Sequence, residues 1–279
     1  MMGVHHAGTG AAAWVAMTAT TPLFKMSLFG NAMLMPLIPT FSAMPMSPTS
    51  VAIGGLVAAG AALLPDADHP SATIAYSIPG VGKALTSAVG AAAGGHRHGT
   101  HSGLSAILVV LLAWLLADVS GLASTEPWSL YVIFSGAAAA ALLTFAVKVL
   151  RIVRTWGVAW LVGIGMSLLV TTVFPGEWVW LPWAVAIGWV THMAGDFLTV
   201  GGLPLTWPKN IKPPLWVQRT PVLNRIWMKN GYWAMPILGL TGSARESMLA
   251  VPLTIYGFWG IIVSALMAMP FLGLTAGVM

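Results

Sequence analysis

Apolar positions gather into seven long runs with short polar breaks between them: residues 8–24, 50–64, 102–122, 129–150, 156–174, 178–200 and 249–272. A helix needs about 20 mostly apolar residues to cross the hydrocarbon core of a bilayer. The pattern therefore predicts an all-α polytopic membrane protein with about seven transmembrane helices, forming one integral membrane domain over residues 1–279. The second run is short and rich in Gly and Ala. Its Gly54, Gly55, Ala58, Ala59 and Gly60 permit close helix contact. Residues 25–49 are rich in Met and Pro. Pro36, Pro39, Pro45 and Pro48 disfavour a continuous helix there, so a re-entrant or interfacial segment is expected. Residues 201–248 form the longest polar stretch. It interleaves Trp207, Trp216, Trp227, Tyr232 and Trp233 with basic residues, which suits a loop anchored in the headgroup layer.

Composition strengthens this reading. Hydrophobic residues make up 57% of the 279 and charged residues 7%, against about 25% charged in an ordinary soluble domain. Mean hydropathy is +0.84. So few charges cannot cover a soluble surface, which excludes a soluble enzyme, a disordered chain and a conventional nucleic-acid binder. The absence of cysteine excludes disulfides, thiolate metal sites and cysteine nucleophiles. Any metal must be held by nitrogen and oxygen.

The net charge of +5 needs no nucleic acid to account for it. With seven alternating spans, every Lys and Arg except Lys25 falls on one face, and Glu126 and Glu177 fall on the other. Cytoplasmic loops collect Lys and Arg. The expected arrangement is thus a bacterial inner-membrane protein with the N-terminus in the cytoplasm and the C-terminus outside. A cleavable signal peptide is the competing reading of the first run. The residues before it carry His5 and His6 but no Lys or Arg, unlike a signal n-region.

The chemistry lies in the few polar residues at the ends of the runs. His6 opens the first, and Asp66, Asp68 and His69 follow the second between Pro65 and Pro70. His96, Arg97, His98, Thr100, His101 and Ser102 precede the third, and His192 and Asp196 lie near the end of the sixth. All four groups map to the cytoplasmic ends of their spans, which predicts one shared site. His192 and Asp196, four apart, project from one face of a helix. An ionisable pair inside a membrane helix is costly and marks function by default. Two converging carboxylates at Asp66 and Asp68 would repel unless a cation lies between them. Neutral imidazoles suit zinc, iron, nickel or copper, and carboxylates add magnesium and manganese. Thr100 or Ser102 can cap the third span, and Arg97 suits a phosphate or carboxylate. Adjacent histidines point apart, so only one of His5 and His6 should reach the site, and His6 is preferred. His98 is expected to be solvated.

These blocks together resemble the YdjM-like family of inner-membrane proteins, described as metal-dependent hydrolases. The resemblance rests on His6, on the L-L-P-D-x-D-H-P block at residues 63–70, and on the H-R-x-x-T-H-S block at residues 96–102. It rests also on H-x-x-x-D-x-x-T, here His192, Asp196 and Thr199, leading into G-[VL]-P-L-x-W-P at residues 202–208. It implies an integral membrane protein with a divalent metal, and no particular substrate.

Three functions follow as expectations. The first is a membrane hydrolase using one or two divalent ions, zinc first, with manganese, magnesium or iron as alternatives. Asp66, Asp68, His101, His192 and Asp196 would bind metal, with His6 a further ligand. His69 and His96 would move protons, and Arg97, Thr100 and Ser102 would hold negative charge. A lipid or polyprenyl carrier with a phosphoester or pyrophosphate, drawn from a membrane of anionic headgroups, is the expected substrate. A lipid amide or ester with a zinc site is the runner-up. The second function is a metal or proton transporter. The third is a non-enzymatic scaffold stapled by a structural metal.

Overall fold

The computed structural model describes residues 1–20, 23–28, 31–36, 38–120 and 129–269. Glu126 lies outside them, as do the last residues of the seventh run, and the side chains of residues 23–36 and 117–120 are not described.

Each predicted run holds a helix: α1 Gly3–Thr18, α2 Pro48–Ala61, α4 Gly103–Ser120, α5 Leu130–Val149, α6 Trp156–Val173, α7 Leu181–Phe197 and α10 Ala244–Met267. An eighth helix, α3 (Val81–Ala93), and two short ones, α8 (Leu215–Arg219) and α9 (Leu223–Ile226), lie in the connections. Among the described residues four segments are long and apolar enough to cross a membrane: Pro48–Asp68, Leu130–Val149, Trp156–Val173 and Ala244–Met267, with a shorter apolar helix at Gly103–Leu116. At 16 and 17 residues, α1 and α7 fall below that length. Outside one short strand pair the protein is thus helical, and among the described residues four helices are long enough to span where the sequence pattern predicts about seven.

Local signals account for the helix ends. Ser47 caps α2 by accepting from the Ser50 N–H at 3.1 Å, and Pro48 sits in the first turn, where its missing N–H costs nothing. Pro48 therefore starts a helix. Upstream, β1 (Leu23–Leu28) and β2 (Asn31–Pro36) pair antiparallel. The chain then returns along the end of α1, where Phe41, Met44 and Met46 donate backbone hydrogen bonds to Ala16, Met17 and Thr18.

The centre of the bundle is α2, which packs against α1, α5, α7 and α10. Its small residues make this possible. A side chain on Gly60 would run into the Leu142 carbonyl of α5, and one on Gly54 into the Trp14 indole of α1. The close contact predicted for this run is made within one chain. Trp14, Leu143, Trp178 and Val57 fill the core around it. The outer helices show apolar side chains to their surroundings, among them Leu161, Leu169 and Ile255. This is the pattern of a protein whose solvent is lipid.

Candidate metal centre

Four helix ends meet at one end of the bundle: the starts of α1 and α4 and the ends of α2 and α7. They bring His6, Asp66, His101, His192 and Asp196 together from opposite ends of the sequence. His6, His101, His192 and Asp196 are essentially buried. The Nε2 of His101 lies 3.1 Å from that of His192. It is 3.5 Å from Asp66 Oδ1 and 3.9 Å from Asp196 Oδ2. His192 Nε2 lies 3.8 Å from Asp66 Oδ1 and 4.0 Å from Asp196 Oδ2.

These separations fit a metal site. Ligands on a tetrahedral zinc ion, with bonds near 2.0–2.1 Å, stand about 3.3–3.4 Å apart. Small movements of side chains would bring the donors of His101, His192 and Asp196 onto one ion, with Asp66 beside the two histidines. His6 adds a fifth donor. Its ring stacks on His192 with centroids 3.7 Å apart, and its Nε2 lies 3.2 Å from Asp196 Oδ1. That approach is out of line for a hydrogen bond, so both ring nitrogens of His6 are buried without a hydrogen-bond partner among the described residues. Buried imidazole nitrogens in this state are rare, and a cation would satisfy one of them.

The outer shell orients the rings. The carbonyl of Ala62 can only accept, so at 2.7 Å it fixes the proton of His192 on Nδ1 and turns the bare Nε2 inward. On His101, Nδ1 lies 3.3 Å from Asp68 Oδ2 and 3.0 Å from the Thr100 hydroxyl. Burial alone pushes the His101 imidazole down. The hydrogen bonds and charge of Asp66 and Asp68 outweigh it and hold the group at about 9.

Asp68 is a hub. Its Oδ2 accepts from the Thr100 hydroxyl at 2.5 Å and from the Arg97 N–H at 2.9 Å, and its Oδ1 pairs with His96 Nδ1 at 2.8 Å. Asp66, Asp68 and His96 form a second group with donor atoms within 4.8 Å of one another, beside the groups His6, Asp66, His192 and His101, His192, Asp196. The shared residues Asp66 and His192 link all three.

Arg97 has φ +58°, a left-handed conformation that costs a non-glycine residue about 1–2 kcal/mol. Three anchors hold it: its N–H on Asp68, its carbonyl accepting from the Tyr232 hydroxyl at 3.1 Å, and its guanidinium 3.0 Å from Asp196 Oδ2. That last contact is an ion pair without hydrogen-bond alignment. Asp196 Oδ1 also meets the Met1 amino group.

The remaining predicted residues separate by position. Ser102 caps α4, donating to the Gly99 carbonyl at 2.7 Å and accepting from the Ser105 N–H at 3.1 Å, so its hydroxyl is spent on the fold. Thr100 turns to Asp68 instead. His69 stands at the rim, its ring edge on His96 at 4.6 Å and its Nδ1 accepting from the Ser71 hydroxyl at 2.6 Å. The His98 ring bonds the carbonyl of His96 at 2.9 Å. The 202–208 block closes over the site: the Leu205 carbonyl accepts from the first N–H of α4, that of Gly103, at 3.2 Å.

Sequence reasoning missed Glu246. It is fully buried in α10 and accepts from His5 at 2.5 Å, from the Met2 N–H at 2.7 Å and from the Gly242 N–H at 2.9 Å. His5 thus turns away from the cluster while His6 turns into it. The S-x-x-E capping box at Ser243–Glu246 was the available signal.

The fold and this cluster define a polytopic membrane protein with a buried His/Asp centre at one end of its bundle. The family described as YdjM inner membrane protein matches residues 1–270, and the chain belongs to that family. The match extends well past residue 208, where the motifs read from the sequence stop. No curated protein and no solved structure matches the chain.

Proposed function

We propose that the protein is a metal-dependent hydrolase of the inner membrane, acting at the cytoplasmic surface on a phosphoester or pyrophosphate of a lipid or polyprenyl carrier. The observation that carries the metal reading is the pair of Nε2 atoms, His101 to His192, 3.1 Å apart and flanked by Asp66 and Asp196. His101, His192 and Asp196 would hold a first divalent ion, zinc by its donor set, with His6 or Asp66 as a further ligand and one position left open for water. Asp66, Asp68 and His96 offer room for a second. When bound, such an ion supplies a Lewis acid and a water acidified to near neutrality.

The chain's own residues do the rest. Arg97 would hold an anionic group beside Asp196. Its side chain is one-quarter exposed, which leaves part of the guanidinium free for a ligand. With a single ion bound, His96 would carry a proton at Nε2, since its Nδ1 is engaged by Asp68 and its side chain is 39% exposed. His69 would relay that proton to solvent. A cleft of about 160 Å³ lined by Gly3, Leu63, Asp66, Ser71 and Thr73 gives small molecules a way to Asp66.

The test is metal analysis of detergent-purified protein beside Asp66→Ala and His192→Ala, followed by phosphate release from lipid phosphates. Stoichiometric metal lost in both variants, with phosphate release lost in parallel, is the expected result. Metal absent after incubation with zinc and manganese would sink the reading. The cytoplasmic placement is tested separately, by thiol labelling of single cysteines in the 201–248 loop from either side of sealed vesicles.

A further inference from the structure

The thin packing of α4 sets it apart. Between Leu104 and Leu116 only Ala113 is buried, and its helical neighbour is α7. Beside its first turns runs a groove of about 350 Å³, walled by Val89 of α3, Leu104, Ser105 and Leu108 of α4, and Trp189 and Trp207. Gly99, Thr100 and Ser102 line it as well. Thr100 joins the groove to the cluster, since its hydroxyl is bonded to Asp68 and His101 follows it in the chain. The groove thus shares Thr100 with the wall of the His/Asp cluster and borders the exposed face of α4 at Leu104 and Leu108.

The helix on its other side fits the same purpose. Gly82, Thr86, Gly90 and Ala93 face α3 inward, and the backbone of Asp68 passes so close that Gly90 has no room for a side chain. Val81, Leu85 and Val89 form the opposite, exposed stripe, next to Ile78. A short helix with one small-residue face on protein and one aliphatic face outward lies naturally at a membrane interface. Two tryptophans at the groove suit that depth.

We propose that this groove takes one hydrocarbon chain of the substrate, so that the bond to be cleaved lies against Thr100 and the His/Asp cluster. The inference rests on the hydrolase reading above and narrows its substrate to an anionic lipid with a chain that enters sideways between α3 and α4. Continuity with the cluster favours a substrate chain over bulk lipid or a second copy of the protein.

The chain lacks cysteine, so one thiol can be placed at will. Leu108→Cys lies in the groove. Ile107→Cys lies at the same depth outside it and is 59% exposed. Each is labelled with bimane and reconstituted in phosphatidylcholine nanodiscs, and lysophosphatidate spin-labelled near the head of its acyl chain is added. Quenching at position 108 should require ~10-fold less probe than at 107, the preference that burying about two methylenes gives. Unlabelled lysophosphatidate should compete, and inorganic phosphate should not. Equal quenching at both positions would overturn the groove, as would disulfide-linked dimers through unlabelled Leu108→Cys. Metal content is read on the same samples. Bound metal with equal quenching removes the groove alone. Selective quenching without metal keeps the groove and removes the hydrolase reading.

Discussion

The imidazoles of His101 and His192 meet tip to tip, Nε2 to Nε2, at 3.1 Å. Two lone pairs cannot face each other at that distance, so one ring must bring a proton. The Ala62 carbonyl holds the His192 proton on the far nitrogen, which leaves His101 as the donor. Its pKa of about 9 agrees, since Asp66 and Asp68 favour the imidazolium.

A pH dependence follows. Metal binding at His101 must displace that proton, so apparent affinity should rise about tenfold per pH unit up to pH 9 and then level off. Near neutrality about one proton should leave His101 per site filled. Calorimetry in buffers of different ionisation enthalpy counts it. The stability of the metal-free protein has the opposite sign. A raised pKa stabilises fully below about 6.5 and is lost as pH rises through 9. A flat affinity between pH 6.5 and 9 would remove His101 from the ligand set.

Asp68 supplies the second prediction. It touches His101, Thr100, His96 and the Arg97 backbone, and it is fully buried between them. Asp68→Asn keeps its volume but removes the charge that orients His101. Losing such an outer partner costs on the order of 10–100-fold in metal affinity. Chelator competition measures this, and an unchanged constant would make Asp68 a simple turn residue.

Glu246 and His5 give a prediction about stability. His5→Ala removes one of three donors to a carboxylate with no access to water, a loss of about 1–3 kcal/mol. The variant should melt earlier in detergent yet keep its metal, whereas His6→Ala should lose metal affinity. Metal lost from the first variant and kept by the second would reverse the assignment of the two histidines.

The sequence made the membrane helices legible because apolar runs of this length have few other uses. It made the cluster legible because buried ionisable residues are scarce in a chain with seven acids. Alternation of the spans was enough to carry His6, Asp66, His101 and His192 to one end. The His5–Glu246 pair joins residues 241 apart, and no periodicity reports such a contact. The helix α3 was hidden because its inward face is Gly, Thr and Ala, which gives no apolar stripe against the core. The pairing of β1 with β2 was hidden because Pro36 and the prolines after it mark where a helix fails without saying what precedes or replaces it.

The loop after α7 exposes Lys209, Lys212 and Arg219 beside Ile211, Leu215 and Trp216. Basic side chains next to apolar ones suit a surface of anionic headgroups, with each cation worth about 1 kcal/mol there. Protein in bilayers containing spin-labelled phosphatidylglycerol should hold an excess of that lipid over phosphatidylcholine. The Debye length falls from ~10 Å at 0.1 M salt to ~3 Å at 1 M, so the excess should shrink with salt. Changing all three residues to Gln should lower it at low salt and flatten the dependence. The groove beside α4 draws on the hydrocarbon chain and should keep its preference in the same variant. An excess of anionic lipid that persists unchanged, with the same salt dependence, would assign this loop a purely structural place over the mouth of the cluster.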